Sequence, residues 1–203
     1  MRAVITEADI PLQAGELAIA AGSIVTPSAR DLARERGVSL REMPHGELPA
    51  AAGPDRTVAI GADHGGFQMK CALLQILGEL GLAVKDVGVY EEKPADYPDI
   101  AVAVARCVAG GQAARGVIVD GAGIGSCMAA NKVAGIRAAL CYDIASARNS
   151  REHNNANVLT LGGRLLTHSQ ADAVLRTWLT TPFAGGRHQA RVDKIMEIER
   201  HRS

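Results

Sequence analysis

Aromatic side chains make up only 3% of this 203-residue chain. A core so short of Phe, Tyr and Trp must be filled by aliphatic side chains and alanine, and the composition argues against stacking platforms for single-stranded nucleic acid. Net charge is missing too. The 22 basic residues balance 22 acidic ones, which disfavours a nucleic-acid surface or a polybasic membrane patch. No apolar run approaches the roughly 20 residues of a membrane-spanning helix, and Glu7 and Asp9 break the charge pattern of a signal peptide. Cys71, Cys107, Cys127 and Cys141 form no CxxC pair. Reduced thiols in a cytoplasmic protein are therefore expected, rather than a disulfide framework or a metal site. There is no HExxH or comparable metal spacing, and His168, His188 and His201 have no evident partner.

What is present is alternation. From Thr57 onward, short apolar runs at 57–61, 83–88, 115–119, 136–141 and 157–161 alternate with helical patterns near 66–80, 97–110, 125–133, 143–152, 168–180 and 188–200. That order predicts an α/β fold with a five-stranded parallel sheet covered on both faces and a site at the carboxyl ends of the strands. Residues 1–43 read as a small N-terminal extension, in which Thr26 caps a helix with Pro27 at its first position, Leu32 and Ala33 face inward, and Gly37 stops the turn. Val38-Ser39-Leu40 then alternates like a strand, and residues 44–56, rich in Pro, Gly and Ala, read as a linker. The chain from 57 to 203 forms the main domain.

The most informative stretch is DGAGIGSCMAANK at 120–132. A buried strand ends in Asp120, three glycines follow at alternate positions, and a helix begins. Such a turn makes an anion cradle, because glycine lets backbone approach a ligand and the helix start offers unpaired N–H groups. An acid beside that cradle suggests proton transfer on a small phosphorylated or carbonyl compound. Asp63-His64-Gly65-Gly66 follows the first strand of the domain and reads equally as site or as helix cap beside a surface histidine; Lys70, on the next helix, is expected to face solvent. Tyr97-Pro98-Asp99 either lines a sugar pocket or simply starts a helix. Ser150 to Asn157 carries seven polar residues in eight, more hydrogen-bonding capacity than a connection needs. Arg187 and Arg191 share a helical face and suit phosphate, unless Asp193 and Glu197 neutralise them. Arg164 is a further cation at a strand end.

Together these segments resemble a known family. DHGG at 63–66, DYPD at 96–99, GxGIG at 121–125, AANK at 129–132, GIRAAL at 135–140, SREHNNANVL at 150–159 and GGRHxxRV at 185–192 stand in the order of the ribose-5-phosphate isomerase B family, which also includes galactose-6-phosphate isomerase subunits. The resemblance covers about 57–200. It implies a Rossmann-like three-layer α/β/α fold, a homodimer or homotetramer with active sites at subunit interfaces, no metal or organic cofactor, and a phosphorylated sugar as substrate. It implies that Asp63 and His64 bind the sugar and phosphate ends, and that the amides of Gly121, Ala122, Gly123 and Gly125 hold an enediolate. His153 would open the furanose ring with Asn154 nearby, and Arg187 and Arg191, with Arg164, would grip the phosphate. Interconversion of ribose 5-phosphate and ribulose 5-phosphate is the leading expectation. The alternatives are allose 6-phosphate or galactose 6-phosphate as substrate, or a non-catalytic phosphosugar-binding subunit.

The chain departs from the family pattern at the base. Many members place Cys where this chain has Asp120 and Thr where it has Ala122; another branch uses Glu where it has Ser126, and Cys127 stands one place further on. A carboxylate is the weaker base by about 6 kcal/mol of proton affinity, yet carboxylate bases serve sugar-phosphate isomerisation, so Asp120 is the expected base. The segment 25–38 also resembles a short stretch of some bacterial microcompartment proteins. Residues 1–50 are thus expected either to dock onto a shell or cargo partner inside a microcompartment, or to be an ornament packed on the dimer.

Overall fold

The computed structural model describes residues 4, 5, 7, 10, 15–20, 23–43 and 57–200. The chain divides into two compact units, Met1–Ala51 and Ala52–Ser203; the linker expected over 44–56 lies outside the described residues. In the first unit β1 (Val4–Ile5) pairs in parallel with β3 (Ile24–Val25), and β2 (Gly15–Ala20) with β4 (Val38–Met43). Helix α1 (Pro27–Glu35) starts where Thr26 accepts a hydrogen bond from the Ala29 amide at 3.2 Å. It ends at Gly37, whose φ of 67° favours glycine. Ile10, Ala29, Ala33 and Val38 form a small core, and Leu32 is only half-buried at its edge. Strands β1, β2 and β3 are not anticipated from the sequence, although Leu17 and Ile19 do alternate.

The second unit runs β5 (Thr57–Ala62), α2 (Phe67–Glu79), β6 (Ala83–Asp86), α3 (Tyr97–Ala109), β7 (Arg115–Asp120), α4 (Ile124–Ala130), β8 (Ala138–Leu140), α5 (Ile144–Glu152), β9 (Val158–Gly162), α6 (His168–Thr180) and α7 (Gln189–Arg200). The five strands are parallel in the order β6-β5-β7-β9-β8. Successive side chains point to opposite faces of the sheet. Val58, Ile60, Val117, Val119, Leu159 and Leu161 therefore pack against Met69, Leu73 and Leu77 of α2 and Leu175 and Trp178 of α6. Ala59, Ile118 and Val158 pack against Ala101, Val104 and Ala105 of α3 and Ala130 of α4. The result is the expected three-layer α/β/α arrangement with an aliphatic, alanine-rich core.

The chain leaves β5 for β6 on one side and returns to β7 on the other. The loops after β5 and β7 thus diverge at the point where open parallel sheets hold their ligands. Two expectations need correction here. Lys70 does not face solvent: it is 1% exposed, and its Nζ donates to both Asp86 carboxylate oxygens at 2.8 Å and to the Val89 carbonyl at 2.6 Å. Three acceptors satisfy the three ammonium protons, which is what makes a buried lysine tolerable. Helix α4 ends at Ala130 instead of near 133, because the Asn131 side chain leaves it to bond the Ala138 N–H at 2.8 Å and the Ala138 carbonyl at 3.0 Å.

Candidate active site

Three strand-end loops interlock at the carboxyl edge of the sheet. The Asp63 amide donates to the Val119 carbonyl at 3.2 Å, the Gly163 amide to the Asp120 carbonyl at 2.7 Å, and the Arg164 amide to the Gly121 carbonyl at 3.1 Å. Contact this close requires glycine: a Cβ on Gly66 would stand 2.2 Å from the Val119 carbonyl oxygen. Tyr97, at the start of α3, lies across Gly125, where a Cβ would meet its ring at 2.5 Å. The point a Cβ on Gly65 would occupy is 3.3 Å from both Asp63 Oδ1 and the Gly121 nitrogen, and the Cδ of Arg164 comes to 3.6 Å from the corresponding point at Gly121. The fold therefore brings Asp63, Tyr97, Gly121, Ala122, Gly123, Gly125 and Arg164 together, with His64 exposed beside Asp63.

Within this cluster the expected role of Asp120 needs correction. Its carboxylate does not look out over the loop but turns into it. Oδ1 accepts from the Ala122 amide at 2.8 Å and from the Gly123 amide, and Oδ2 accepts from the Ser126 amide at 3.0 Å. Asp120 is 5% exposed and acts as the loop's own anion. The same bonds take Ala122 and Gly123 out of the expected set of enediolate donors and leave Gly121 and Gly125 as loop amides that Asp120 does not use. Gly123, at φ 79° and packed against Leu140 and Leu161, lets the chain wrap the carboxylate. Asp63 is held more loosely. Its Oδ1 accepts from the Gly66 N–H at 2.9 Å. Burial pushes the Asp63 carboxyl above the ordinary carboxylate range; the Gly66 amide pulls it back, the Asp120 charge raises it again, and His64 and the Gly65 amide lower it. Cys127 points elsewhere: its thiol donates to the Ala138 carbonyl at 3.4 Å, and burial pushes it up, away from thiolate.

The remaining candidates lie at the other end of the sheet. Helix α5 begins beyond the carboxyl end of β8 and runs back, so His153 and Asn154 lie where β7, β8 and β9 begin. The strands are five or six residues long, which sets the two groups about 17 Å apart. His153 stacks on His188 with ring centroids 4.2 Å apart, and the Arg187 Nε lies 3.5 Å from the His188 Nε2. Desolvation, then electrostatic repulsion from His153, Arg187 and Arg191, holds the His188 ring below its ordinary range. Asn149 donates to His153 Nδ1 at 2.8 Å, which places the proton of the neutral ring on Nε2. Among the described residues no hydrogen bond or ion pair joins this group to the Asp63–Asp120–Arg164 group, so one copy does not bring the two halves together.

The polar segment at 150–157 proves half structural. Arg151 is buried, donates to Asn155 Oδ1 at 3.0 Å and lies over the Trp178 ring. Burial, then the Arg115 and Arg137 charges, brings it down to about 10. Asn157 ties the start of β8 by accepting from the Arg137 amide and donating to the Gly135 carbonyl, both at 2.8 Å. Within this segment Asn154 is exposed, and Glu152, His153, Asn155 and Asn157 are half-buried. Tyr142, which the sequence reading passed over, donates its hydroxyl to the Ala122 carbonyl at 2.7 Å and steadies the glycine loop. The only available signal was its position directly after a strand. Among the described residues no helix is long and apolar enough to cross a membrane, and no three His, Cys, Asp or Glu side chains stand together as a metal site would require.

The whole of this unit has relatives. The Ribose/Galactose Isomerase family profile matches residues 58–195. Ribose-5-phosphate isomerase B of Escherichia coli is 42% identical over 148 residues, 73% of this chain and 99% of that protein. D-erythrulose-4-phosphate isomerase of Pectobacterium atrosepticum is 40% identical over 142 residues, 68% of this chain and 92% of that protein. The solved structure of Clostridium thermocellum ribose-5-phosphate isomerase B superposes with a TM-score of 0.71 at 45% identity, covering 72% of this chain and 99% of that one. An interlocked glycine loop between two carboxylates, on a sheet matched from end to end by these relatives, places the chain in the ribose/galactose isomerase family.

Proposed function

We propose that this chain interconverts D-ribose 5-phosphate and D-ribulose 5-phosphate through an enediolate, in a site that two copies of the chain build together. Family membership supports the chemistry. The division of the candidate residues between the two ends of one sheet is the observation that carries the shared site. Isomerisation needs a proton carrier, oxyanion donors, a ring-opening group and a phosphate anchor, all within the length of one sugar phosphate. A two-fold arrangement, with the rear end of one copy set on the front end of the other, completes two equivalent sites. Exposed apolar side chains at the front end (Ile124, Met128, Tyr142, Ile144 and Leu165) give such a contact its surface. In this reading Arg187 and Arg191 hold the phosphate, and His153, its proton fixed on Nε2, exchanges that proton with the ring oxygen. Asp63, His64 and Tyr97 line the sugar, while Arg164 and the Gly121 and Gly125 amides meet the oxyanion.

The test is a coupled assay on purified protein with ribose 5-phosphate, allose 6-phosphate, galactose 6-phosphate and erythrulose 4-phosphate, the last because a relative at 40% identity bears that name. The highest kcat/KM on ribose 5-phosphate is the expected result. Highest activity on another phosphate reassigns the sugar, and binding without turnover or C2 deuterium exchange makes the chain a phosphosugar-binding subunit.

The first unit is proposed to be a docking module for a microcompartment shell or cargo protein, a reading supported by the resemblance of 25–38. Helix α1 buries Ala29 and Ala33 in the unit's own core, so docking would use the folded surface rather than a bare amphipathic helix. Deleting residues 1–50 should leave kcat/KM unchanged and abolish co-sedimentation with shells; retained co-sedimentation refutes the proposal.

A further inference from the structure

The chain lacks the usual cysteine at the glycine loop, and the aspartate in its place is spent on the loop. Three amides from Ala122, Gly123 and Ser126 converge on Asp120, leaving it one lone-pair direction and almost no exposure. Asp63, nearly as buried, is held by fewer hydrogen bonds. It directly follows the neighbouring strand β5, and its carboxylate accepts from the Gly66 amide at 2.9 Å, with the Gly65 amide as a further backbone donor. The Asp63 carboxylate, Gly65 and the Gly121 amide meet closely, since a Cβ on Gly65 would stand 3.3 Å from both Asp63 Oδ1 and the Gly121 nitrogen, and the Arg164 side chain borders Gly121. A carboxylate beside a backbone amide and a guanidinium is the set of groups that proton abstraction beside a carbonyl requires.

We infer that Asp63, and not Asp120, carries the proton between C2 and C1 of the sugar, with Asp120 as the positioning residue that shapes the loop. This rests on the isomerase reading above. In the forward direction the Asp63 carboxylate takes the C2 proton of the open-chain aldose. The C–H electron pair becomes the C1=C2 double bond, and the carbonyl π pair moves to O1, facing Gly121 and Arg164. The O2 hydroxyl proton passes to O1, the O2 lone pair re-forms a carbonyl at C2, and the Asp63 carboxyl returns its proton to C1. No oxidant, reductant or co-reactant is consumed. Burial and the adjacent Asp120 charge favour the protonated carboxyl, which makes Asp63 a stronger base than an exposed carboxylate would be. The charged groups facing it are Asp120 and His64.

The experiment follows C2 deuterium incorporation from deuterated water into ribose 5-phosphate, with turnover, for the full-length chain and for Asp63→Asn, Asp63→Ala, Asp120→Asn and Asp120→Ala. Asp63→Asn should lose exchange and kcat together by about 10³-fold, with KM changed far less. Asp120→Asn should keep exchange within about tenfold of wild type, with a lower unfolding midpoint. Added formate should restore exchange to Asp63→Ala but not to Asp120→Ala, since only a missing proton carrier leaves a space that a small carboxylate can fill productively. Exchange retained by Asp63→Asn, or formate rescue confined to Asp120→Ala or absent from both, overturns the inference. A folded wild-type chain that exchanges no proton in any of the four sugar phosphates sinks the isomerase reading itself and this inference with it. An active wild type with an indifferent Asp63 sinks only the inference.

Discussion

Asp63 and Asp120 end adjacent strands, and the backbone around them treats them oppositely. Asp120 gathers three amide donors, so replacing it by alanine strands those N–H groups and should cost about 3 kcal/mol of stability. Asp63 is buried with its proton favoured, so its contribution to stability has the other sign. The fold binds that proton more tightly than the unfolded chain does. The resulting stability is present below the ordinary carboxylate range and is lost as pH rises through the elevated value of the folded state. Asp63→Asn removes the charge and can still accept from the Gly66 amide. Denaturant midpoints from about pH 4 to pH 8 should therefore show Asp63→Asn gaining on wild type as pH rises, with no gain at the acid end. A midpoint difference independent of pH would mean that Asp63 is not buried as described. A carboxylate kept where it destabilises the fold is one that serves the site.

At the scale of elements, the strands and helices of the second unit were legible because each is periodic on its own. The run at 115–119 reads as strand, and Gly66, Gly121 and Gly125 punctuate the helix starts, without reference to anything distant. What the sequence hid depends on contacts across the chain. Lys70 looks like a surface residue of α2 until the parallel register of β5 and β6 sets Asp86 beneath it. The polar run at 150–157 looks uniformly functional until α5 ends and a turn through Asn155, at φ 48°, directs Arg151 inward and His153 outward. Asp120 was rightly placed at the loop, but periodicity says nothing of which way a carboxylate turns when free amides surround it. Three strands of the first unit escape a reading of the sequence because Val4–Ile5 and Ile24–Val25 span only two residues each and Gly15–Ala20 carries a weak alternation.

For the whole molecule, parallel topology decides where chemistry can occur. Helices α2 to α6 each return the chain to the amino edge of the sheet, so residues that follow these helices and residues that follow strands collect at opposite ends. His153, Arg187 and Arg191 belong to the first kind; Asp63, Gly121 and Arg164 belong to the second. A neutral, aromatic-poor chain with apolar side chains around the front end is suited to self-association, and a two-fold partner supplies each end with what it lacks. Subunit complementation tests this most directly. One full-length variant carries Asp63→Asn with Arg164→Ala and loses its front half; another carries His153→Asn with Arg187→Ala and loses its rear half. Each alone should be inactive. Mixed under conditions that exchange subunits, half of the dimers are hybrids with one intact site of two, so about a quarter of wild-type activity should return. A mixture that exchanges subunits yet stays inactive would contradict a site shared between two copies.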